Sequence, residues 1–326
     1  MLNKPSSVLI LVPIYNDWDS ADLLLRDLDT VCRHAGLSPE VLFVDDGSTV
    51  PIPSSLSSAS LAAIRRIDIL QLRRNLGHQR AIAVGLAFVH SSRPCDVVVV
   101  MDGDGEDKPS DIPRLLDRLY GEQQATVVFA ERTRRSESLV FRIFYRFYRI
   151  LHKLLTGVAV RVGNFSALPY AVLDTLVVVS ELWNHYAAAV FKARLPYTTV
   201  PTERGSRFSG RSRMDFASLV VHGLSALSVY GDVLGVRLLV VATALVLFLA
   251  LGILLAIVIR LATPLAIPGW ATYTTGILLL MLLQIMIIAV LFVFTILSAR
   301  ASLTFLPIRD HHFFVKRLLR LFPHES

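Results

Sequence analysis

Hydrophobic and polar positions divide the chain into two parts of different character. Up to about residue 130, short aliphatic runs alternate with longer segments of helical period. Val8 to Val12, Glu40 to Val44, Ile67 to Leu72, Val97 to Met101 and Ala125 to Ala130 read as strands. Between them, a helix capped by Asp19 or Ser20 runs through Leu28 and Val31 to a stop at Gly36. A second helix follows Gly77-His78 through His90, and a third spans Ile112 to Tyr120. Pro51 to Ser60, rich in Ser and Pro, reads as a loop. Strands alternating with helices specify an α/β fold with a mostly parallel sheet and right-handed crossovers. Loops that follow the strands of such a sheet converge on one edge, where ligands bind.

Beyond residue 130 the pattern changes. Leu139 to Leu155 sets Arg142, Arg146, Arg149 and Lys153 on one helical stripe, with Phe141, Phe144, Tyr145, Phe147 and Tyr148 on the other faces. That composition suits a helix lying in a membrane interface, the competing reading being an ordinary surface helix packed on the sheet. Leu238 to Ile259 and Gly276 to Leu297 are each 22 residues long and uncharged. At 1.5 Å per residue each reaches roughly 33 Å, enough for a bilayer core of about 30 Å. The expected organisation is a catalytic domain over 1–222 and a membrane domain over 223–326, with spans at about 234–260 and 274–298. The loop between the spans carries only Arg260, whereas the tail carries Arg300, Arg309, Lys316, Arg317 and Arg320. The positive-inside rule then puts both termini in the cytoplasm. Phe313 to Phe322 mixes aromatic, aliphatic and basic residues and reads as a second interfacial helix.

Composition adds three points. A chain of 326 residues has room for about two domains. Its 53% hydrophobic content and mean hydropathy of +0.55 are high for a soluble enzyme, and the excess sits in the two uncharged runs. The net charge of +7 would suit nucleic acid, but the basic residues lie among apolar and aromatic ones, which points to an anionic membrane surface and away from nucleic acid. Cys32 and Cys95 show no metal spacing and imply no disulfide framework. Met1 to Pro5 runs straight into the first strand, with no signal-peptide pattern.

The candidate chemistry begins where the valine run stops. Val97-Val98-Val99-Val100-Met101 ends in Asp102-Gly103-Asp104-Gly105-Glu106. Carboxylates this close do not desolvate together without a cation, and hard oxygen ligands suit Mg²⁺ or Mn²⁺ shared with substrate phosphates. Gly103 and Gly105 allow a sharp turn and close approach of a ligand. Taken alone, the same residues also read as a solvated acidic turn. Thr202 to Met214, with Arg204, Arg207, Arg211 and Arg213, is either a solvated linker or a mobile loop that clamps phosphate.

Together the motifs resemble family 2 glycosyltransferases of the GT-A fold, in the polyprenyl-phosphate group typified by dolichyl-phosphate mannose synthase. The matching pieces are Val12-Pro13-Ile14-Tyr15-Asn16, Val44-Asp45-Asp46-Gly47-Ser48, Arg74-Asn75-Leu76-Gly77, Met101-Asp102-Gly103-Asp104, Arg132, and Arg207 through Arg213. By that resemblance Pro13, Tyr15 and Asp17 belong to the loop holding the donor nucleotide, and Asp45 contacts its base or ribose with Asp46 beside it. Asp102, Gly103 and Asp104 hold the diphosphate and metal, and Glu106 stands at a metal-binding position. Arg132 faces the phosphates, and Arg207 and Arg213 close over donor and acceptor. The resemblance implies a membrane-bound, inverting, metal-dependent transferase moving one sugar from a UDP- or GDP-sugar to a polyprenyl phosphate on the cytoplasmic face, in a bacterial inner membrane rather than the endoplasmic reticulum. Self-association of the chain is left open.

Three departures bear on this. Asp17 replaces the family's usual Glu, Arg213 replaces a Lys, and Asn164 in Gly163-Asn164-Phe165-Ser166 stands where many relatives have Asp. A phosphomonoester, with a second pKa of roughly 6, is largely dianionic at neutral pH and needs no base. A sugar hydroxyl does. Asn164 therefore favours a phosphate acceptor. Two other readings stand beside this one: a polysaccharide synthase, which would carry a Gln-x-x-Arg-Trp motif that this chain lacks, and a catalytically silent scaffold that binds nucleotide sugar. His78, His185 and His222 read as packing or surface residues without a role, and Trp183 and Tyr186 as core or acceptor-cleft residues.

Overall fold

The computed structural model describes residues 7–56, 61–132, 162–208, 225, 228–263, 269–301 and 305–323. Their contacts divide into two units: one built on a sheet and including residues 305–323, the other formed by two long apolar helices.

The sheet unit begins with β1 (Val8–Ile14), α1 (Trp18–Ala35), β2 (Glu40–Asp45) and β3 (Arg66–Leu72). It continues with α2 (His78–Ser92), β4 (Val97–Val100), α3 (Ile112–Tyr120) and β5 (Val127–Arg132). Then come β6 (Ser166–Pro169), α4 (Tyr170–Leu176), α5 (Tyr186–Lys192), β7 (Tyr197–Thr202) and, near the C-terminus, β8 (Val315–Phe322). The strands form one sheet in the order β7-β5-β6-β4-β1-β2-β3-β8. β4, β1, β2 and β3 are mutually parallel, as the alternation of strands and helices requires.

Alternate residues of each strand enter opposite apolar layers. Leu9, Leu11, Leu42, Val44, Val98 and Val100 pack with α2, whereas Ile10, Val12, Val41, Phe43, Val97 and Val99 pack with α1 and α3. Burial on both faces is why these strands read as continuous aliphatic runs. α1 starts earlier than the sequence suggests: Trp18 is its first residue and Asp17 its N-cap, because the Trp18 ring is buried in the core and draws in the first turn. Gly36 ends it with φ +66°, a left-handed stop that glycine adopts without strain.

The segment 315–322, expected as an interfacial helix, is strand β8. It pairs antiparallel with β3, which would otherwise be an open edge. Leu319 and Leu321 pack against the core while Lys316, Arg317 and Arg320 are exposed. The spacing that gave a helical reading also fits a strand with one buried side, and an unpaired neighbour decides for the strand. The expected interfacial helix at 139–155 lies outside the described residues.

The second unit contains α6 (Gly231–Ala262) and α7 (Trp270–Ala301), packed against each other and extending past the expected spans at both ends. Gly252 allows close approach, with its Cβ position 3.4 Å from Leu278 Cδ1. Both helices are long and apolar enough to cross a membrane, and side chains such as Phe248, Leu261, Ile288 and Phe294 remain exposed.

Candidate active site

The site lies at the C-terminal ends of the parallel strands. β1 ends at Ile14, beside Asp45 of β2, and Asp45 is beside Gln71 of β3. Pro13 is tolerated in this central strand because β1 pairs with β4 only as far as Leu11. Past the end of β1, Tyr15 is exposed and Asn16 takes φ +52°. The Asn16 side chain accepts from Thr49 N at 2.8 Å and Val50 N at 3.0 Å, and its own N–H donates to Ser48 Oγ at 2.9 Å. This fastens the loop after β1 to the loop after β2. Asp17 leaves the first turn of α1 uncapped by its side chain and contributes to the field around Arg207.

The adjacent aspartates have different tasks. Asp45 is buried, accepting from Ser48 N at 2.9 Å through Oδ1 and from Gln71 Nε2 at 3.1 Å through Oδ2. Asp46 turns to the β3–α2 loop, where Oδ1 accepts from Leu76 N at 2.7 Å and Oδ2 from Gly77 N at 2.9 Å. Burial raises the Asp46 pKa despite those two bonds. Asp46, expected beside Asp45 at the nucleotide, thus also holds this loop. Gly47 is required: at φ +72° its Cβ would lie 2.6 Å from both Arg74 C and Asn75 N.

The acidic turn after β4 is held by its own backbone and by cations from elsewhere. Asp102 N donates to Asp107 Oδ2 at 2.9 Å, and Gly103 lies close over β1, its Cβ position 3.2 Å from Val12 Cγ1. Asp102 Oδ1 is 3.1 Å from His78 Nε2, Asp104 Oδ2 accepts from Arg207 Nη2 at 2.6 Å and Nε at 3.2 Å, and Glu106 pairs with Arg204. The three carboxylates expected to share a metal therefore turn to three different partners: the His78 imidazole and the Arg207 and Arg204 guanidiniums. Among the described residues no three His, Cys, Asp or Glu side chains gather into a metal-binding group. Mutual repulsion is the physical reason: Asp104 and Glu106 each find a guanidinium of their own, and Asp102 turns to the His78 ring. Burial opposes the charge on Arg207, but Asp104, Glu106 and Asp17 hold its pKa above the ordinary guanidinium value.

The Arg204–Phe208 segment closes over the turn. Gly205 N donates to Glu106 O at 2.8 Å and Phe208 N to Asp104 O at 3.0 Å. Phe208 rests on Gly105, where a Cβ would fall 2.5 Å from the ring. Arg132 ends β5 opposite Thr202, so its backbone reaches the same edge. Its side chain, like all of Arg213, lies outside the described residues.

His78, read from the sequence as a packing or surface residue, is exposed and stands beside the acidic turn. It opens α2 beside Asp102, and Asn164 Nδ2 also lies 3.0 Å from its Nε2. Asn164 Oδ1 accepts from Gln79 Nε2 at 3.1 Å, and Gln79 Oε1 accepts from Tyr186 N at 2.8 Å. Partial desolvation of the ring, which is 44% exposed, works against protonation of His78, yet Asp102, then Asp107 and Asp104, raise its pKa overall. Its position directly after Leu76-Gly77, a loop at the ligand edge, was the available signal. His185 caps α5 through Ala188 N at 3.4 Å, and His222 lies outside the described residues. Tyr186 is core, bonded to Ser166 at 2.8 Å, while Trp183 packs with Phe305 and Phe314 under Arg80.

A mostly parallel sheet with an Asp at the end of β2 and Asp-Gly-Asp after β4 defines the GT-A class of glycosyltransferase. The chain belongs to glycosyl transferase family 2, whose model matches residues 9–177. Among curated proteins it is similar to the undecaprenyl-phosphate 4-deoxy-4-formamido-L-arabinose transferase of Salmonella paratyphi B, 28% identical over 65% of this chain and 64% of that one. The chain thus spans just under two thirds of that relative's length. The protein of the same description from Klebsiella pneumoniae is 27% identical over 90% of this chain and 88% of its own. Among solved structures, glucosyl-3-phosphoglycerate synthase from Mycobacterium tuberculosis in complex with Mn²⁺, UDP and phosphoglyceric acid shares the fold, with TM-score 0.50 and 14% identity over 70% of this chain and 78% of that chain.

Proposed function

We propose that the protein transfers one sugar, with inversion, from a UDP- or GDP-sugar to a polyprenyl phosphate at the cytoplasmic face of a bacterial inner membrane. The observation that carries this reading is the ion pair between Asp104 and Arg207, which joins the acidic turn to a basic segment after β7. An acidic turn alone would suit many cations. Joined to arginines, it suits a site where a metal and two phosphate groups exchange partners.

Asp102 and Asp104 are hard oxygen donors two positions apart, and the Arg207 guanidinium facing Asp104 marks a concentration of negative charge. They fit Mg²⁺ or Mn²⁺, which is commonly held by one or two carboxylates and substrate phosphates. Such an ion would neutralise the departing nucleoside diphosphate. Asp45 accepts from the base or ribose, and Tyr15, exposed beyond β1, flanks it. Arg207, released from Asp104 when donor binds, steadies phosphate charge together with Arg132 and Arg213. Glu106 keeps Arg204 and the closing segment in place. Asn164 supplies no base, and a dianionic acceptor phosphate attacks without one. α6 and α7 are apolar all round, and among the described residues little of either is buried, which supports a bilayer as their surroundings. The similar transferases named for undecaprenyl phosphate support the choice of acceptor.

Purified full-length protein supplied with labelled UDP- or GDP-sugars, Mn²⁺ or Mg²⁺ and undecaprenyl phosphate is expected to yield a chloroform-extractable lipid carrying one sugar. A polymeric product would replace this reading with a polysaccharide synthase. Donor binding without turnover, unaltered by Asp104→Ala, would replace it with a silent scaffold.

A further inference from the structure

The registers of two strand pairs, β2–β3 and β3–β8, set Asp45, Gln71 and Arg317 in one row across the sheet. Asp45 of β2 is opposite Gln71 of β3, and Gln71 is opposite Arg317 of β8. Directly opposed residues project to the same face, so the row is a chain of neighbouring side chains. Arg317 Nε donates to Gln71 Oε1 at 2.7 Å, and Gln71 Nε2 donates to Asp45 Oδ2 at 3.1 Å.

The chemistry of these groups leaves one arrangement. A guanidinium only donates, so the amide oxygen must face Arg317; a carboxylate only accepts, so the amide nitrogen must face Asp45. Both ends of the Gln71 amide are thus fixed in the same sense. If the guanidinium were absent, the amide could turn and set its oxygen against the Asp45 carboxylate. Asp45 is only 3% exposed, so its orientation is set by Ser48 N and Gln71 rather than by water. The ladder between β3 and β8 shifts register just past Gln71, which marks this row as the last regular one before the ligand edge.

We propose that Arg317, on the C-terminal strand, is a positioning residue for the donor nucleotide: by fixing the Gln71 amide it holds the Asp45 carboxylate ready to accept from the base or ribose. The inference rests on the donor-site reading above. Residue 317 lies beyond the stretch 9–177 matched by the family model, and it follows α7 in the chain. The segment after the apolar helices therefore completes the nucleotide end of the site in addition to covering the edge of β3.

The test is calorimetry on the full-length protein in detergent with Mn²⁺, titrating UDP, GDP and inorganic pyrophosphate separately. Arg317→Met is expected to weaken the better-bound nucleoside diphosphate about tenfold, the loss for one bond to a charged group, and to leave pyrophosphate within about twofold. Arg317→Lys should recover most of the affinity, and Gln71→Met should reproduce the loss. Lys316→Met, at the adjacent exposed residue of β8 where the ladder shifts register, should change nothing. In turnover the donor KM should rise while kcat holds. Equal losses for nucleotide and pyrophosphate, or nucleotide binding indifferent to both Arg317→Met and Gln71→Met, would overturn the inference alone. A wild-type protein that binds neither nucleotide would overturn the donor-site reading and the inference with it.

Discussion

Arg207 lies 103 positions along the chain from Asp104, yet its Nη2 donates to the Asp104 Oδ2 at 2.6 Å. A guanidinium in that position occupies the carboxylate that the proposed metal would need. The two cations are therefore rivals when nucleotide is absent and become partners once a diphosphate supplies further oxygens. Arg207→Ala is expected to tighten Mn²⁺ binding to the nucleotide-free protein, read as loss of the free-ion signal in electron paramagnetic resonance. The same variant should lower kcat by about a hundredfold or more, the usual effect of removing one group that stabilises transition-state charge. Weaker Mn²⁺ binding in Arg207→Ala would show that the pair does not compete with metal.

Gly47 couples backbone conformation to the fit between two loops. A methyl group there meets Arg74 C and Asn75 N at 2.6 Å and must also adopt φ +72°. Neither contact is with a flexible side chain, so relief requires moving the β3–α2 loop. Gly47→Ala should destabilise the sheet unit by about 1–3 kcal/mol, the range for a strained backbone position, and lower the melting temperature of the full-length protein. Gly36→Ala provides the comparison: it has a similar φ of +66° but nothing within 4 Å of its Cβ position, and should cost less.

Asp46 predicts a loss of order in the loop that carries His78. Removing its carboxylate leaves the N–H groups of Leu76 and Gly77 without their acceptor. Asp46→Ala should cost about 1–3 kcal/mol for each N–H left unsatisfied, less where water enters. Amide hydrogen exchange at 76 and 77 should accelerate well beyond the rest of α2. Asp46→Asn keeps an oxygen for only one of the two donors and should fall between wild type and Asp46→Ala.

His78 sets a pH dependence whose sign follows from its raised pKa. A histidine that titrates higher when folded is stabilised in its charged form. Its contribution is fully present below the unfolded value and is lost as pH rises through the folded one. Metal-free protein should therefore lose an increment of melting temperature on going from mildly acid to mildly alkaline pH, and His78→Gln should lose that increment of slope.

Much of the nucleotide side was legible from local signals. The aliphatic runs of β1, β2 and β4 are buried on both faces, so a two-sided core left its mark on every residue and revealed the strands. The acids and glycines that follow each run then had to fall on one edge, since parallel strands with right-handed crossovers end together. β6, β7 and β8 were not visible in this way. β6 is only four residues long and β7 keeps exposed positions, so neither carries a strong period. β8 is apolar and basic in a pattern that a helix and a half-buried strand both satisfy.

The local sequence determined which groups stand at the ligand edge: Asp45 and Asp46 after β2, His78 after the β3 loop, and Asp102 to Glu106 after β4. Only the tertiary structure decided what each group does there. Asp46 holds the β3–α2 loop while Asp45 is held by β3, because Leu76 and Gly77 approach one carboxylate and Gln71 the other. Arg204, Arg207 and Arg317 reach these groups across long stretches of chain, and no spacing in a sequence records such a distance. Backbone periodicity is a property of neighbours along the chain, whereas charge pairing depends on neighbours in space.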